Sequence, residues 1–132
     1  MDQTLKKLIF LFLAVMMLTA CGQDIENNQG AAYVNITAEE AKEIMDSEEG
    51  YIILDVRTQE EYDHGHIPGA ILIPNTEIED RAEEVLTDKD QLILVYCRSG
   101  RRSQLAAEAL VELGYTNIKE FGGILDWPYE VE

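Results

Sequence analysis

The chain has 132 residues, 46% of them hydrophobic and 27% charged, a balance that allows one packed domain and excludes two. Lys and Arg number 10 against 26 Asp and Glu, for a formal charge of -16, and a surface of that sign repels nucleic-acid phosphates, so no nucleic-acid partner is expected. The two cysteines, Cys21 and Cys97, are too few for a disulfide framework and lack the spacing of a zinc site.

In chain order, Lys6 and Lys7 precede an apolar run from Leu8 to Leu18 and then Thr19-Ala20-Cys21. Basic, apolar and small residues in that order predict a secretory signal over residues 1–20, outside the folded domain. As a helix, Leu8 to Ala20 would reach about 20 Å, short of the roughly 30 Å hydrocarbon core, which argues against a permanent span. Leu18-Thr19-Ala20-Cys21 resembles the lipobox of bacterial lipoproteins. That resemblance implies a diacylglycerol thioether on Cys21 and an extracytoplasmic domain, lipid-anchored to the bacterial cell membrane. Residues 21–32 contain Gln23, Asn27, Asn28, Gln29 and Gly30 without an apolar period and read as a flexible tether. The remainder is strongly acidic, so anionic lipid would repel it and the covalent lipid would have to hold it at the bilayer.

The domain is expected over residues 33–132. Tyr33 to Ile36 alternates like a short strand, and Thr37 with Glu40 forms a capping-box signature for a helix from Ala38 to about Met45. Tyr51 to Val56 and Gln91 to Tyr96 are apolar runs of strand length that suit burial on both faces. Between them lie a turn region around His64-Gly65-His66-Ile67-Pro68-Gly69, a brief strand at Ala70 to Ile73, and a charged helix from about Glu77 to Leu86. Leu105, Ala106, Ala109, Leu110 and Leu113 fall at helical spacing up to Gly114, and Asn117 to Phe121 can supply a last strand. Strands alternating with helices in so short a chain predict an α/β fold, with a mainly parallel central sheet flanked by helices in three layers.

Ligands in such folds bind beyond the carboxyl ends of the strands. Cys97 stands there, followed by Arg98-Ser99-Gly100-Arg101-Arg102-Ser103 and then a helix. A small, cationic loop feeding a helix N-terminus forms an anion cradle from backbone N–H groups, guanidinium groups and the helix dipole. A free thiol is mostly protonated at neutral pH, and the dipole alone supplies too little to ionise it; several N–H donors and guanidinium groups together would favour the thiolate. Cys97 is therefore the candidate nucleophile.

Cys97-Arg98-Ser99-Gly100-Arg101-Arg102-Ser103 resembles the active-site loop of the rhodanese family of sulfurtransferases. Leu54-Asp55-Val56-Arg57, Glu60-Glu61-Tyr62 and Gly65-His66-Ile67-Pro68-Gly69-Ala70 resemble the segment before that loop, and Gly122-Gly123-Ile124-Leu125-Asp126-Trp127 resembles the closing motif. The resemblance implies a single rhodanese-like domain with Cys97 catalytic. Residues Arg98, Ser99, Gly100, Arg101 and Arg102 would bind substrate, and Asp55 and Arg57 would brace the loop. It implies that Cys97 takes sulfane sulfur from a donor such as thiosulfate, holds it as a persulfide, and yields it to cyanide or a thiol. No metal or organic cofactor is required, and a monomer is expected.

His64 and His66 stay outside the catalytic set, since sulfur transfer between thiolates needs no obligatory proton abstraction from carbon or oxygen; His64 is expected exposed and His66 to fix its turn. Trp127 and Phe121 are read as core or lid-packing residues. Two rivals remain. One is a tethered persulfide carrier or sensor that is loaded but does not turn over. The other is a cysteine phosphatase, disfavoured because the position six residues after Cys97 is Ser103 where that chemistry wants arginine.

Overall fold

The computed structural model describes residues 32–132. The expected signal segment, Cys21 and all of the tether but its last residue lie outside the described residues.

Five strands, β1 (Val34–Asn35), β2 (Ile52–Asp55), β3 (Ile71–Leu72), β4 (Ile93–Cys97) and β5 (Ile118–Gly123), form one sheet in the order β1-β5-β4-β2-β3. Every pairing is parallel. Four helices connect them: α1 (Ala38–Ser47), α2 (Gln59–Asp63), α3 (Ile78–Val85) and α4 (Arg101–Glu112), with 3-10 turns at Asn75–Glu77 and Ile124–Asp126. This is the α/β fold expected, with the two apolar runs as interior strands.

Period-two alternation divides the core into two layers. Leu54, Val56, Ile93, Val95 and Cys97 face α3 and α4, where Ile78, Ala82, Ala106, Ala107 and Leu110 meet them. Ile53, Leu94 and Tyr96 face the other way, toward Ala41 of α1, Ile67, Phe121 and Trp127. Phe121 and Trp127 are thus core residues, as their types suggested. Sealing both faces leaves the rim beyond the strand ends as the place where chemistry can meet solvent.

Two departures from the sequence reading bear on that rim. Residues 59–63 form α2, where only a turn region was expected: Thr58 Oγ1 accepts from the Glu61 N–H and the Glu61 carboxylate accepts from the Thr58 N–H, a complete capping box. Five residues are too few for an apolar period to reveal such a helix. β5 also runs on through Gly122 and Gly123. There its register against β4 slips by one, from Val95 opposite Glu120 to Cys97 opposite Gly123, a β-bulge with Gly122 at φ 85°.

Candidate active site

β4 ends on Cys97, whose side chain is fully buried on the α4 side of the sheet. Three residues, Arg98, Ser99 and Gly100, then reach the first turn of α4. Gly100 has φ 109°, a conformation that a side chain would strain. In that conformation its N–H points at Cys97 Sγ, 3.0 Å away. As the N-cap residue it also leaves α4 without a side-chain cap, so the positive end of the helix dipole faces the sulfur and the space in front of it.

A second group touches the sulfur from within α4. Ser103 Oγ lies 3.4 Å from Cys97 Sγ and 2.6 Å from Glu120 Oε1. Glu120 is 3% exposed and accepts from the Gly122 N–H at 2.8 Å. Neither residue is among the sequence candidates. Ser103 is quoted within the loop but assigned no contact; Glu120 carries the stronger unread signal, a carboxylate between Ile118 and Phe121 in a stretch expected to form a strand.

The loop is seated directly on backbone. A Cβ at Gly123 would lie 1.9 Å from the Arg98 carbonyl oxygen and 2.5 Å from the Ser99 nitrogen, so this position admits only glycine. The Arg98 carbonyl also accepts from the Leu125 N–H at 3.2 Å. The closing motif read from the sequence therefore forms the floor on which residues 98–99 rest.

The three arginines have separate fates. Arg102 in the first turn of α4 grips Glu61 of α2 through two hydrogen bonds of 2.7 and 2.9 Å. That guanidinium holds the Glu61 carboxyl down at about 2, with the Thr58 amide assisting, while Glu61 raises Arg102 in turn. Arg98 and Arg101 are exposed. Arg98 lines an open cleft of about 730 Å³ together with Arg57, Glu61, Ile124, Trp127 and Tyr129. Two arginines at the start of a helix oppose its dipole, an arrangement that favours an anion in front of them.

Asp55 and Arg57 form a buried ion pair, with Arg57 Nη2 2.7 Å from Asp55 Oδ2 and Arg57 Nε 3.0 Å from both carboxylate oxygens. Burial works against the Arg57 charge, but Asp55 outweighs it and the net displacement is upward. The Tyr96 hydroxyl donates to Asp55 at 2.7 Å and accepts from the Ile67 N–H at 3.0 Å; burial, then the Asp55 carboxylate, push this phenol up. Arg57 also donates to the Gly65 carbonyl at 2.7 Å. These side-chain bonds brace the Gly65–Ile67 turn, on the face of the sheet opposite Cys97, because neighbours 96 and 97 on a strand point opposite ways. Arg57 meets the loop only at the cleft, whose lining it shares with Arg98.

His64 is exposed. The His66 ring stacks on Tyr62 with centroids 3.8 Å apart, its Nδ1 lies 3.0 Å from the Tyr62 carbonyl, and its backbone pairs with that of Glu132. That is the geometry of a residue fixing its turn.

Three comparisons with known proteins bear on this site. The model of the rhodanese-like domain matches residues 37–129. A protein of Bacillus subtilis named a putative sulfur carrier, YrkF, is 38% identical over 112 residues; the match covers 84% of this chain and 60% of that protein, so the chain spans less than two thirds of it. The thiosulfate sulfurtransferase PspE of Escherichia coli is 42% identical over 73 residues, covering 55% of this chain and 70% of that one. Among solved structures, a rhodanese from E. coli with bound anions superimposes with a TM-score of 0.59 at 38% identity, covering 62% of this chain and 96% of that one. A rhodanese-related protein from Thermoplasma volcanium reaches 0.66 at 32% identity, covering 76% and 98%.

Proposed function

The chain belongs to the rhodanese-like domain family, and on that premise we propose that it is a sulfurtransferase in which Cys97 carries the transferred sulfur as a persulfide. Relatives named for sulfur transfer support the reading. The observation that carries it is the Gly100 N–H aimed at Cys97 Sγ beneath the uncapped start of α4. A sulfur anion formed there accepts a fixed backbone donor and meets the positive end of a helix.

In the first half-reaction the Cys97 thiolate attacks the outer sulfur of thiosulfate. The sulfur–sulfur bond of the donor breaks, sulfite departs with the electron pair, and the persulfide remains. In the second, cyanide or a thiolate attacks the outer sulfur of the persulfide and Cys97 is returned as thiolate. A cysteine nucleophile thus splits one transfer into two displacements. Arg98 and Arg101 supply cationic charge for the dianionic donor, with the Ser99 and Gly100 backbone closing the cradle. A three-residue crossing from β4 to α4 suits a sulfur atom better than a tetrahedral phosphate ester.

The test is intact-mass analysis of the purified protein incubated with thiosulfate and then with cyanide, beside Cys97→Ser. A gain of one sulfur atom that cyanide removes, absent in the variant, is the result expected. Loading without discharge would instead support a sulfur carrier, the role for which the B. subtilis relative is named. No loading would overturn both.

We also propose that the domain works outside the cytoplasm, held to the membrane by a lipid on Cys21. The order of Lys6-Lys7, the apolar run and Leu18-Thr19-Ala20-Cys21 supports this. Incorporation of radiolabelled palmitate in bacteria, lost in Cys21→Ser, is the expected outcome; equal labelling of the two forms would overturn it.

A further inference from the structure

The buried carboxylate of Glu120 is not used by the two displacements just described, yet it is joined to the reacting sulfur through one hydroxyl. Ser103 Oγ has three acceptors within reach: Glu120 Oε1 at 2.6 Å, the Gly100 carbonyl at 2.9 Å and the Gly122 carbonyl at 3.3 Å. A serine has one proton to give, and a short bond to a carboxylate outcompetes bonds to carbonyls. With that proton committed to Glu120, the lone pairs of Ser103 face Cys97, 3.4 Å away. In the resting state Ser103 must therefore accept from the Cys97 thiol, while the Gly100 N–H donates to the same sulfur.

Resting on the assignment of Cys97 as the sulfur-bearing group, we propose that Glu120 is its proton acceptor, acting through Ser103. The thiol proton moves from Sγ to Ser103 Oγ as the Ser103 proton moves to Glu120 Oε1. One S–H and one O–H bond break and two O–H bonds form. The chain passes from thiol and carboxylate to thiolate and carboxylic acid, and no net charge is created in the buried site. Afterwards every hydrogen bond still has a donor: the carboxylic acid donates to Ser103, Ser103 to the thiolate, and the Gly122 N–H continues to donate to Glu120. Without this exchange a thiolate and a buried carboxylate would stand one hydroxyl apart, a repulsion that burial strengthens.

Ser103 touches the reacting sulfur, whereas Glu120 is a positioning residue that acts through it. The other charged or titratable groups on the surrounding elements are few. Arg102 on α4 feels the charge on Cys97 but is tied to Glu61. Tyr33, ahead of β1, is pushed up first by burial and then by Glu108 on α4 and by Glu120. Lys119 alternates to the opposite face of β5 from Glu120. None of these forms a hydrogen bond to Glu120 or Ser103 among the described residues.

Two groups that share a proton titrate as a pair, in two steps. The rate of Cys97 alkylation by iodoacetamide, followed by intact mass from acidic to alkaline pH, should rise in two stages separated by a plateau in the unsubstituted protein. Glu120→Gln, which mimics the carboxylic acid and cannot release its proton, should collapse the profile to one stage. Ser103→Ala removes the hydroxyl that both halves of the exchange require; its alkylation below neutral pH should fall at least tenfold, and this variant keeps the test alive should Glu120→Gln not fold. A single-stage profile shared by the unsubstituted protein and Glu120→Gln would overturn the proposal. So would a fall by one factor at every pH, which marks mere bracing of the loop. Alkylation needs no sulfur donor, so failure to load with thiosulfate would sink the sulfurtransferase reading while leaving this result to stand or fall by itself.

Discussion

Arg102 and Glu61 are joined by two hydrogen bonds of 2.7 and 2.9 Å that tie the first turn of α4 to the short helix α2. Of the three arginines beside Cys97, this one is committed within the protein, and the pair fixes where the loop can sit relative to the cleft.

The Arg102–Glu61 pair predicts a pH dependence of stability. The Glu61 carboxyl lies at about 2 in the folded chain against 4.5 in its absence. A depressed folded value contributes stability that is complete above about 4.5 and disappears as pH falls toward 2. Both side chains are partly exposed, so the contribution is about 1 kcal/mol. Urea unfolding of the unsubstituted protein and Glu61→Gln should differ by that amount at pH 7 and converge near pH 2.

Arg98, exposed and lining the cleft, has no ion-pair partner among the described residues. Arg98→Ala should raise KM for thiosulfate about tenfold, the worth of one charge-assisted contact to an anion. It should leave the urea midpoint unchanged, whereas Arg102→Ala should lower that midpoint. Steady-state kinetics of the cyanide-coupled reaction, with unfolding curves alongside, separate the two.

Gly123→Ala places a methyl group where the Arg98 carbonyl already lies. The loop must lift, so sulfur loading of Cys97 should fall at least a hundredfold. The fold, which can open at this rim, should lose only about 1 to 3 kcal/mol. Intact mass after thiosulfate treatment and thermal unfolding measure the two effects.

Tyr96→Phe should have the opposite profile. It strips a buried hydrogen bond from Asp55 and leaves the Ile67 N–H without its acceptor, at a cost of about 1 to 3 kcal/mol. Its contacts lie across the sheet from Cys97, so loading with thiosulfate should stay within twofold of the unsubstituted protein.

The sheet was legible in the sequence because two of its three interior strands, Ile52–Asp55 and Ile93–Cys97, are sealed on two faces and so read as apolar runs. Cys97 was legible for the same reason: it ends the more buried run and begins a cationic loop. The short helix α2 escaped notice because a five-residue element is held by its capping box and by Arg102, neither of which imposes a period. Glu120 and Ser103 are seventeen positions apart, and their contact joins a strand to the helix packed on it, which no local pattern announces. Asp55 and Arg57 were expected to brace the loop after Cys97, but their side-chain bonds reach the Gly65–Ile67 turn, since strand alternation sends Tyr96 and Cys97 to opposite faces.

The slipped register has a consequence for how this domain can change over evolutionary time. Deleting one residue at Gly122 would let β5 run beside β4 without interruption, a more regular sheet by every rule of strand pairing. It would also remove Gly122, whose amide donates to Glu120, while leaving Gly123 opposite Cys97. If Glu120 takes the Cys97 proton as proposed, the irregular sheet is the working one, and a lineage that tidied this seam would keep a sound scaffold and lose that support. Insertions and deletions here are therefore a sharper mark of an inactive descendant than substitutions in the core.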